Sequence, residues 1–340
     1  MVTSSHPEAR WWTAEEDRVV CQLCPRGCRL QDGQTGFCRV RRNEGGRLRT
    51  LTYGHPVSIA VDPIEKKPLF HFLPGTSVVS FGTVGCTLGC RFCQNWTLSR
   101  AEVEKHAGRF VSPEEVVALA EKEGAPAIAY TYNEPSVFAE YVVDISRLSR
   151  QRGIRNVMVT NGYVAPEARR EIYANIDGAN VDLKAFSDEF YREQTQSSLE
   201  PVLDTLRWIR HETNVWLEIT TLLIPGLNDS DEMLAAEYDW IVENLGREVP
   251  LHLTAFHPDY EMRDRPRTPP DTLARARQMA RDKGLEFVYL GNVAEPGGQS
   301  TRCPTCDQIL IYRTWHRSEV VGLEGGRCSK CQHEIPGVFR

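Results

Sequence analysis

"SVVSFGTVGCTLGCRFCQNW", residues 77–96, joins an apolar run to a loop that carries three cysteines. The run at 77–83 is short and contains β-branched and aromatic residues, which is typical of a buried strand. Cys86, Cys90 and Cys93 follow it with C-x3-C-x2-C spacing. Thiolate sites in proteins normally close with four ligands, so this loop is one ligand short of a saturated metal site.

Eleven cysteines are present in the chain, and all of them fall into three groups. The groups are the cysteine triad (Cys86, Cys90 and Cys93), the N-terminal quartet (Cys21, Cys24, Cys28 and Cys38) and the C-terminal quartet (Cys303, Cys306, Cys328 and Cys331). Because soft-metal sites favour four thiolates, we interpret each quartet as a closed site and the triad as an open one.

Composition limits the class of protein. The 340 residues are 41% hydrophobic and 25% charged, which is enough for one large core with small appended modules. A formal charge of −6 disfavours a general nucleic-acid binder. No apolar run approaches the roughly 20 residues that span a bilayer, and the start "MVTSSHPEARWW" lacks the order of a signal peptide. We therefore expect a cytoplasmic protein, whose thiols stay reduced and bind metal.

Short apolar runs alternate with amphipathic segments along most of the chain. The predicted strands are 77–83, 126–132, 156–160, 178–184, 215–220, 250–256 and 286–290, and the predicted helices between them are 112–124, 135–153, 231–246 and 272–284. Such alternation indicates parallel strands with crossover helices, in either a (β/α) barrel or a doubly wound sheet. We predict an α/β fold built on a partial, open parallel (β/α) barrel.

Three domains follow from this pattern. Residues 1–50 form an N-terminal metal-binding module around the first quartet, and 51–298 form the barrel core. Residues 299–340 form a C-terminal zinc-ribbon or rubredoxin-like knuckle, with two C-x2-C pairs. In so short a segment, bound metal replaces the hydrophobic core that the chain cannot build. We expect zinc in this quartet, with a single iron as the alternative.

The sequence leaves two alternatives for the metal centre of the N-terminal quartet. Its spacing is C-x2-C-x3-C-x9-C, and Cys38 closes the set. Ligand type alone does not separate zinc from an auxiliary iron–sulfur cluster here. Such a cluster would be able to relay electrons.

Polar residues follow the predicted strands at the ends where parallel α/β folds place their sites. Because these ends meet at one rim, we expect the residues to form one shared site around the triad. They are Asn133 and Glu134 after the second strand, Thr160 and Asn161 after the third, Asp182 and Lys184 after the fourth, Glu218 and Thr220 after the fifth, and His257 after the sixth.

Three thiolates can hold three irons of a four-iron, four-sulfur (4Fe-4S) cube and leave the fourth iron free for a small molecule. The alternatives are a zinc site completed by a distant histidine such as His257 or His71, a disulfide, or a thiol nucleophile.

Lys66, Lys67 and His71 precede the first strand in a proline-rich segment, and we keep them outside the predicted site.

The triad, with Phe92 before its last cysteine and a strand in front of it, resembles the radical S-adenosylmethionine (SAM) superfamily. A wider resemblance is to the AmmeMemoRadiSam-system radical SAM enzymes, which are similar to pyruvate formate-lyase activating enzymes. It rests on "YGHPVSIAVDPIEKKPLFHFLPG" (53–75), "TVGCTLGCRFCQNW" (83–96), "YTYNEP" (130–135), "VTNGY" (159–163), "VDLKAF" (181–186) and "LLIPGLND" (222–229).

This resemblance implies a 4Fe-4S cluster on the triad and SAM bound to its open iron. It also implies reductive cleavage of SAM to a 5′-deoxyadenosyl radical, which abstracts hydrogen from a substrate that the sequence does not identify. The implied partners are a flavodoxin- or ferredoxin-type electron donor, together with AMMECR1-like and Memo-like proteins. Membrane and nucleic acid are not expected partners.

Residue roles carry over from the resemblance position by position. Glu134, beside Asn133, matches the acid of the segment that holds the methionine amino group, although tyrosine and asparagine replace the family's glycines. Val159 stands where activating enzymes have a cation-binding aspartate, which puts that cation site in doubt. Lys184 and His257 are the predicted catalytic residues. The full predicted cofactor-binding set is Phe92, Asn133, Glu134, Thr160, Asn161, Asp182, Lys184, Glu218 and His257.

Three other functions remain open from the sequence. The first is activation of a glycyl-radical enzyme by the same radical chemistry. The second is a zinc-ribbon protein that binds or modifies RNA, and the third is an iron–sulfur electron carrier without catalysis.

Overall fold

The computed structural model describes residues 6–106, 108–293, 295, 297–314 and 317–340. Its strands are β1 Trp12–Glu15, β2 Arg18–Cys21, β3 Arg29–Leu30, β4 Arg41–Glu44, β5 Arg47–Thr50, β6 Ser58–Pro63, β7 Ser77–Gly82, β8 Ala127–Tyr130, β9 Arg155–Thr160, β10 Gly178–Asp182, β11 Trp216–Leu223, β12 Leu251–Ala255, β13 Val288–Gly291, β14 Thr301–Arg302, β15 Ile309–Thr314, β16 Arg317–Val320, β17 Leu323–Glu324 and β18 Arg327–Cys328.

The α-helices are α1 Trp96–Ser99, α2 Val103–His106, α3 Pro113–Lys122, α4 Ala139–Gln151, α5 Pro166–Ile172, α6 Asp188–Thr195, α7 Glu200–Glu212, α8 Asp231–Asn244 and α9 Pro270–Asp282. Short 3-10 turns cover Ile64–Lys66, Pro135–Phe138 and Tyr173–Asn175. None of the helices in the described ranges is both long and apolar enough to cross a lipid bilayer.

The central sheet of the described residues has eight strands, in the order β13-β12-β11-β10-β9-β8-β7-β6. Strands β7 to β13 are parallel and follow chain order, while β6 pairs antiparallel with β7. The edge strands β6 and β13 do not pair with each other in the described part of the chain. The structure thus confirms the predicted α/β fold with an open, mostly parallel barrel.

Local sequence signals explain the elements that were predicted well. Helix α3 begins with a capping box, in which the Ser112 side chain accepts from Glu115 N and the Glu115 carboxylate accepts from Ser112 N. Strand β6 was missed because it is an edge strand whose apolar residues Ile59 and Val61 are exposed, so it lacks a buried-strand pattern.

Small antiparallel sheets flank the barrel on both sides in sequence. The sheet β1-β2-β3 and the hairpin β4-β5 precede it, and the sheet β14-β15-β16 and the hairpin β17-β18 follow it. These elements fall in the segments expected to form metal-binding modules. The division of the chain into three domains stays a prediction.

The barrel is closed at the amino ends of its strands by residues 64–73, which we call the floor segment. The Glu218 carboxylate in β11 accepts hydrogen bonds from Phe70 N at 2.9 Å and His71 N at 2.8 Å. Asn180 in β10 donates to Pro68 O at 2.8 Å. The ring of Phe72 packs on Gly178, where a Cβ would approach it to 2.9 Å. A buried polar layer therefore fixes the floor segment across β10 and β11.

The C-terminal module is hydrogen-bonded to the floor segment. The fully buried Arg313 side chain donates to Phe70 O, and it also donates to Thr301 Oγ1 at 2.7 Å. His71 Nδ1 donates to Pro336 O at 2.7 Å, and His71 Nε2 hydrogen-bonds to the Tyr289 hydroxyl at 2.6 Å. Burial lowers the pKa of His71 to about 4, so its ring is neutral at physiological pH.

The N-terminal module is attached to the barrel by a buried ion pair. The Arg41 guanidinium and the Glu140 carboxylate lie 2.7 Å apart, and both side chains are buried. The same carboxylate accepts from Arg10 N at 2.7 Å. Breaking a buried pair by removing one partner typically costs about 3–5 kcal/mol, so this contact fixes the module on α4.

Strand β11 shows how alternation separates the interior of the barrel from its outer face. Thr220 and Leu222 line the interior, whereas Thr221 between them faces α8 and donates to Glu237 Oε1 at 2.6 Å. Glu237 is buried, and burial raises its pKa to about 8 despite that hydrogen bond. The folded protein therefore binds a proton at Glu237 that the unfolded chain has released at neutral pH.

We predict that Glu237→Gln raises thermal stability at pH 8 and leaves it nearly unchanged at pH 5. A carboxyl with a raised folded pKa destabilises progressively as pH rises from its unfolded value, about 4.5, to about 8. A neutral amide removes this cost, which is on the order of 4 kcal/mol at pH 8. Melting midpoints of anaerobically purified protein at the two pH values measure the effect.

The exposed Glu243 on the same helix provides the matched control. Glu243→Gln should reproduce the pH profile of the wild type. An equal shift of the Glu237→Gln midpoint at both pH values would show that packing, and not ionisation, is responsible.

Candidate active site

A cavity of about 670 Å³ occupies the interior of the barrel. The cysteine triad lines one end, and Lys66, Lys67, Pro68 and Phe70 of the floor segment line the other. Between these ends the lining includes Asp62, Tyr132, Asn133, Glu134, Val159, Asn161, Asp182, Lys184, Thr220, Leu222, His252, Thr254 and Asn292. One continuous space thus joins the thiols to a polar surface at the floor.

The triad lies on the loop that connects β7 to α1. Cys86 Sγ accepts from Leu88 N at 3.4 Å and from Asn161 Nδ2 at 3.7 Å. Cys93 Sγ and Ser99 Oγ are 3.2 Å apart. Burial raises the pKa of Cys90 to about 12, although the Lys184 ammonium opposes this effect. Buried thiolates therefore need a bound cation, which a metal centre supplies.

The triad offers three thiolates, one fewer than a structural single-metal site takes. Among the described residues, the C-terminal quartet forms a group whose ligand atoms all lie within 4.8 Å of one another, which suits one metal ion. In a 4Fe-4S cube each thiolate bonds a different iron, so three thiolates hold three irons and leave the fourth free. The three thiols at one end of the cavity are therefore suited to such a cube.

The histidines considered as a fourth zinc ligand lie in other surroundings. His71 is in the floor segment, and both ring nitrogens are hydrogen-bonded to Pro336 and Tyr289. His257 is half exposed, and its Nδ1 lies 2.9 Å from Gln94 Nε2. Neither arrangement favours the zinc alternative for the triad.

Glu134 is held between the ends of β8 and β9. Its carboxylate accepts from Ser136 N at 2.9 Å, Asn161 N at 2.8 Å and Thr160 Oγ1 at 2.9 Å. Burial raises the pKa of Glu134, and the two backbone N–H groups partly oppose this. Thr160 does not line the cavity among the described residues. The structure thus gives Thr160 a positioning role through Glu134.

Asn133 ties the loop after β8 to the cysteine loop. Its Oδ1 accepts from Thr83 N at 3.1 Å, and its Nδ2 donates to Gly85 O at 2.8 Å. Tyr132 beside it has φ +67°, in the left-handed region that glycine favours. Tyr132 thus has a backbone conformation that glycine favours, at a position where the resemblance has glycine.

Asp182 and Lys184 follow β10 and pair within the cavity wall. Lys184 Nζ lies 2.8 Å from Asp182 Oδ2. Burial alone would lower the pKa of Lys184, but Asp182 and Cys90 outweigh it and raise the pKa. Lys184 therefore presents a fixed positive charge next to the triad, as its position in the sequence predicted.

The prediction that Glu218 lies at the rim is wrong. Glu218 is in the middle of β11, pairs in register with Asn180, and is fully buried. Its Oε2 lies 2.7 Å from His252 Nε2 and accepts from Phe70 N, and its Oε1 accepts from Trp216 Nε1 at 3.0 Å. Its hydrogen bonds join the floor segment to β11 and β12, and Glu218 does not line the cavity in the described residues, so this placement gives no support to its predicted contact with the cofactor.

The remaining predicted residues differ in their relation to the cavity. Phe92 is buried, lines the cavity and packs against Phe190, with ring centroids 5.8 Å apart. His257 is not part of the cavity lining in the described residues and reaches it only through Gln94, which does line it. A direct catalytic contact by His257 stays a prediction.

Sequence reasoning missed the residues at the floor end of the cavity. Asp62 lies 2.8 Å from Lys67 Nζ and 3.0 Å from Lys66 Nζ, and it accepts from the Tyr132 hydroxyl at 2.6 Å. The Lys67 ammonium also lies 4.7 Å from the centre of the Tyr132 ring. The available signal was the charged pair Lys66-Lys67 next to an apolar run, which reads equally well as a surface loop.

The two quartets differ in geometry. In the C-terminal quartet, Cys303 and Cys331 sulfurs are 3.5 Å apart and Cys306 and Cys328 sulfurs are 3.6 Å apart. These separations match four thiolates on one tetrahedral metal ion.

Thiols of the N-terminal quartet also form one group. Burial chiefly raises the pKa of Cys24 to about 12, and Cys38, Cys21 and Cys28 raise it further. Such mutual effects require the four thiols to be near neighbours.

Comparison with known proteins agrees with this site. The model of the radical SAM superfamily matches residues 81–238, which include the triad. The uncharacterized protein MJ0808 of Methanocaldococcus jannaschii is 41% identical over 96% of this chain and 97% of its own length. The pyruvate formate-lyase-activating enzyme of Clostridium pasteurianum is 24% identical over 56% of this chain and 84% of its own.

A solved structure supports the fold. The crystal structure of a radical SAM methyltransferase from Sphaerobacter thermophilus has a TM-score of 0.50 at 18% identity, and the match covers 64% of this chain and 67% of that one. Motif, cavity and relatives agree, and we conclude that the chain belongs to the radical SAM superfamily.

Proposed function

We propose that this protein abstracts a hydrogen atom from a substrate held inside the barrel, using SAM and a 4Fe-4S cluster bound by the cysteine triad. The observation that carries the proposal is the single cavity that joins Cys86, Cys90 and Cys93 to the floor segment. When bound, the cluster and SAM supply a 5′-deoxyadenosyl radical. The protein binds, orients and shields the reactants.

Lys184 is the residue best placed to hold the carboxylate of SAM. Its charge is fixed by Asp182, and both residues line the cavity beside Cys90. A charge-assisted hydrogen bond to a carboxylate is stronger than a neutral one. The loop of Asn133 and Glu134 lies at the same end of the cavity and supports the proposed amino-group site. Because the Glu134 carboxylate already accepts three donors, we assign it mainly to positioning this loop.

The charged side chains at the floor end of the cavity indicate the chemical class of the substrate. Lys66 and Lys67 share Asp62 as their carboxylate partner, so one positive charge remains in excess. The floor segment also closes the barrel there, which excludes water from a radical intermediate. We infer a polar substrate with an anionic group facing Lys66 and Lys67.

Activation of a glycyl-radical protein is the second candidate. Similarity to the activating enzyme of Clostridium pasteurianum favours it. Val159 lines the cavity and places an apolar side chain where the resemblance expects a cation-binding aspartate, which disfavours it. Our lead proposal, hydrogen abstraction with SAM, also includes three partners. They are AMMECR1-like and Memo-like proteins of an AmmeMemoRadiSam system and an electron donor of the flavodoxin or ferredoxin type.

The C-terminal quartet supports a structural role in place of RNA binding. Its module directs the buried Arg313 to Phe70 of the floor segment, and Ser318 donates to Glu65 Oε1 at 2.6 Å. We propose that zinc in this quartet stabilises the module and, through it, the floor of the cavity.

We predict that the anaerobically reconstituted, dithionite-reduced protein converts SAM to 5′-deoxyadenosine. Lys184→Ala should lower the rate at low SAM by roughly 10- to 100-fold, because a charge-assisted hydrogen bond contributes about 1.5–3 kcal/mol. Chromatography of the nucleoside product measures the rate. Iron content should be unchanged in the variant.

The exposed Lys283, which pairs with Asp239 on α8, is the matched control. Lys283→Ala should cleave SAM like the wild type. A wild-type protein with its full iron that forms no 5′-deoxyadenosine would refute the proposed function. Normal cleavage by Lys184→Ala would refute only the role of this lysine.

We predict that Cys331→Ser loses zinc and loosens the floor segment. Without the metal, the module no longer holds Arg313 and Pro336 against residues 70 and 71. Hydrogen exchange of the peptide 64–73 should accelerate, while the peptide 231–244 in α8 should exchange as in the wild type. Metal analysis and mass-detected exchange measure both effects, and zinc loss without faster exchange at 64–73 would contradict the role.

A further inference from the structure

We propose that Tyr132 is a catalytic residue that gives its phenolic hydrogen atom to a carbon radical inside the cavity. In the complete reaction that radical is on the substrate, and the transfer ends the radical chemistry. Without substrate, the same hydrogen atom goes to the 5′-deoxyadenosyl radical. The inference rests on the proposed function, because it needs a radical in the barrel.

The Tyr132 side chain extends from the triad end of the cavity toward the floor. At the triad end, the neighbouring residue Asn133 donates to Gly85 O at 2.8 Å in the cysteine loop. At the floor, the Tyr132 hydroxyl donates to Asp62 Oδ2 at 2.6 Å, and Asp62 lies 2.8 Å from Lys67 Nζ. The ring therefore lies beside the space between the proposed SAM site and the proposed anion site of the substrate.

The backbone of Tyr132 is strained, and the neighbouring strand makes room for it. Its φ of +67° is in the left-handed region, which is rare for a bulky residue. Gly82 in β7 faces it, and a Cβ at Gly82 would lie 3.2 Å from Tyr132 Cβ and 2.6 Å from Thr131 O. Strain of this kind is concentrated at functional sites. Here it brings a phenol into a cavity that a glycine at the same position would leave without one.

Tyr132 keeps its proton, and Asp62 does not. Burial, together with the hydrogen bond to Asp62, raises the pKa of Tyr132. Burial would also raise the pKa of Asp62, but hydrogen bonds from Lys67 and Tyr132 outweigh it and lower the pKa. A distance of 2.6 Å is typical of a hydroxyl that donates to a carboxylate. At neutral pH the hydrogen atom is therefore on the tyrosine.

A chain of polar groups connects this hydroxyl to water. Lys66 Nζ lies 3.0 Å from Asp62 Oδ1, and the Lys66 side chain is 43% exposed. Protons of the Lys66 ammonium exchange with solvent, and the Asp62 carboxylate accepts hydrogen bonds from both Lys66 and Tyr132. The phenol can therefore regain a proton from water, and its hydrogen exchanges for deuterium in D₂O.

Bond strength distinguishes Tyr132 from the rest of the cavity wall. It is the single tyrosine among the described residues of the lining, and other O–H groups there, such as those of Ser99 and Thr220, belong to alcohols. A phenolic O–H bond is weaker than an alcohol O–H or an aliphatic C–H bond, so transfer from Tyr132 to an unstabilised carbon radical is favourable. A glycyl radical is stabilised by its flanking amides and would not take this hydrogen. The role of Tyr132 therefore belongs to the lead proposal and not to glycyl-radical activation.

The hydrogen atoms and electrons balance over one turnover. The substrate loses one hydrogen atom to the 5′-deoxyadenosyl radical, and its carbon radical rearranges. The O–H bond of Tyr132 then breaks and a C–H bond forms on the substrate, which leaves a neutral phenoxyl radical. One electron from a flavodoxin- or ferredoxin-type donor and one proton through Asp62 restore the phenol. The donor thus supplies two electrons, one to SAM and one to Tyr132, and the product keeps the hydrogen count of the substrate.

The isotope content of 5′-deoxyadenosine tests the inference. The reconstituted protein is reduced by dithionite in D₂O with SAM, without substrate or thiol reductant, and the nucleoside is analysed by mass spectrometry. We expect one deuterium in most of the wild-type product. Tyr132→Phe should lower the deuterated fraction about tenfold, because without the phenolic O–H the barrier rises by about 1.4 kcal/mol or more. This fraction does not depend on how fast the variant cleaves SAM.

A second variant and a matched control accompany Tyr132→Phe. Tyr132→Gly suits the φ of +67° and should show the same loss of deuterium. The Tyr53 hydroxyl also donates to a carboxylate, Asp144 Oδ2 at 2.7 Å, but Tyr53 does not line the cavity in the described ranges. Product from Tyr53→Phe should therefore carry deuterium like the wild type.

Two results would overturn the role of Tyr132. One is wild-type product without deuterium, and the other is product from either Tyr132 variant with as much deuterium as the wild type. A wild-type protein with its full iron that forms no 5′-deoxyadenosine would instead refute the proposed function, and the role of Tyr132 with it.

Discussion

The buried Glu218 carboxylate is the contact on which the active cavity depends. It joins the backbone of Phe70 and His71 to β11 and meets His252 of β12. Burial favours the neutral form of a carboxyl, but these partners outweigh it and lower the pKa of Glu218 overall. A charged group so deep in a barrel is stable only when its hydrogen bonds are complete. Here they also fix the floor segment across the amino ends of the strands.

The opposite end of the cavity is organised by shorter links between consecutive loops. Asn133 connects the loop after β8 to Gly85, and Glu134 connects it to Asn161 after β9. Asn161 then contacts Cys86. The cysteine loop is thus supported by neighbouring strand ends, which hold the thiols at one end of the cavity. Preorganisation of this kind lowers the cost of holding a cluster in one orientation.

The two cysteine-rich modules act on opposite ends of the same cavity. The C-terminal module lies against the floor segment through Arg313 and Pro336, and the N-terminal module lies against the cysteine loop through Arg26 and Cys38. Segments this short build little hydrophobic core of their own, so a metal bound by either quartet would stabilise its module. A metal in either quartet therefore bears on the chemistry of the barrel indirectly, through the backbone that it holds.

The sequence by itself determined the alternation of strands and helices, the open cysteine triad and the placement of Asp182 and Lys184 at one strand end. These features depend on local spacing and on alternation with period two, which the chain carries directly. Only the tertiary structure decided how deep each inward residue lies. Glu218 and Thr220 share one face of β11 but are roughly 7 Å apart along the barrel. The tertiary structure also decided the place of Lys66 and Lys67. They reach the cavity only because the floor segment folds back across strands distant in sequence.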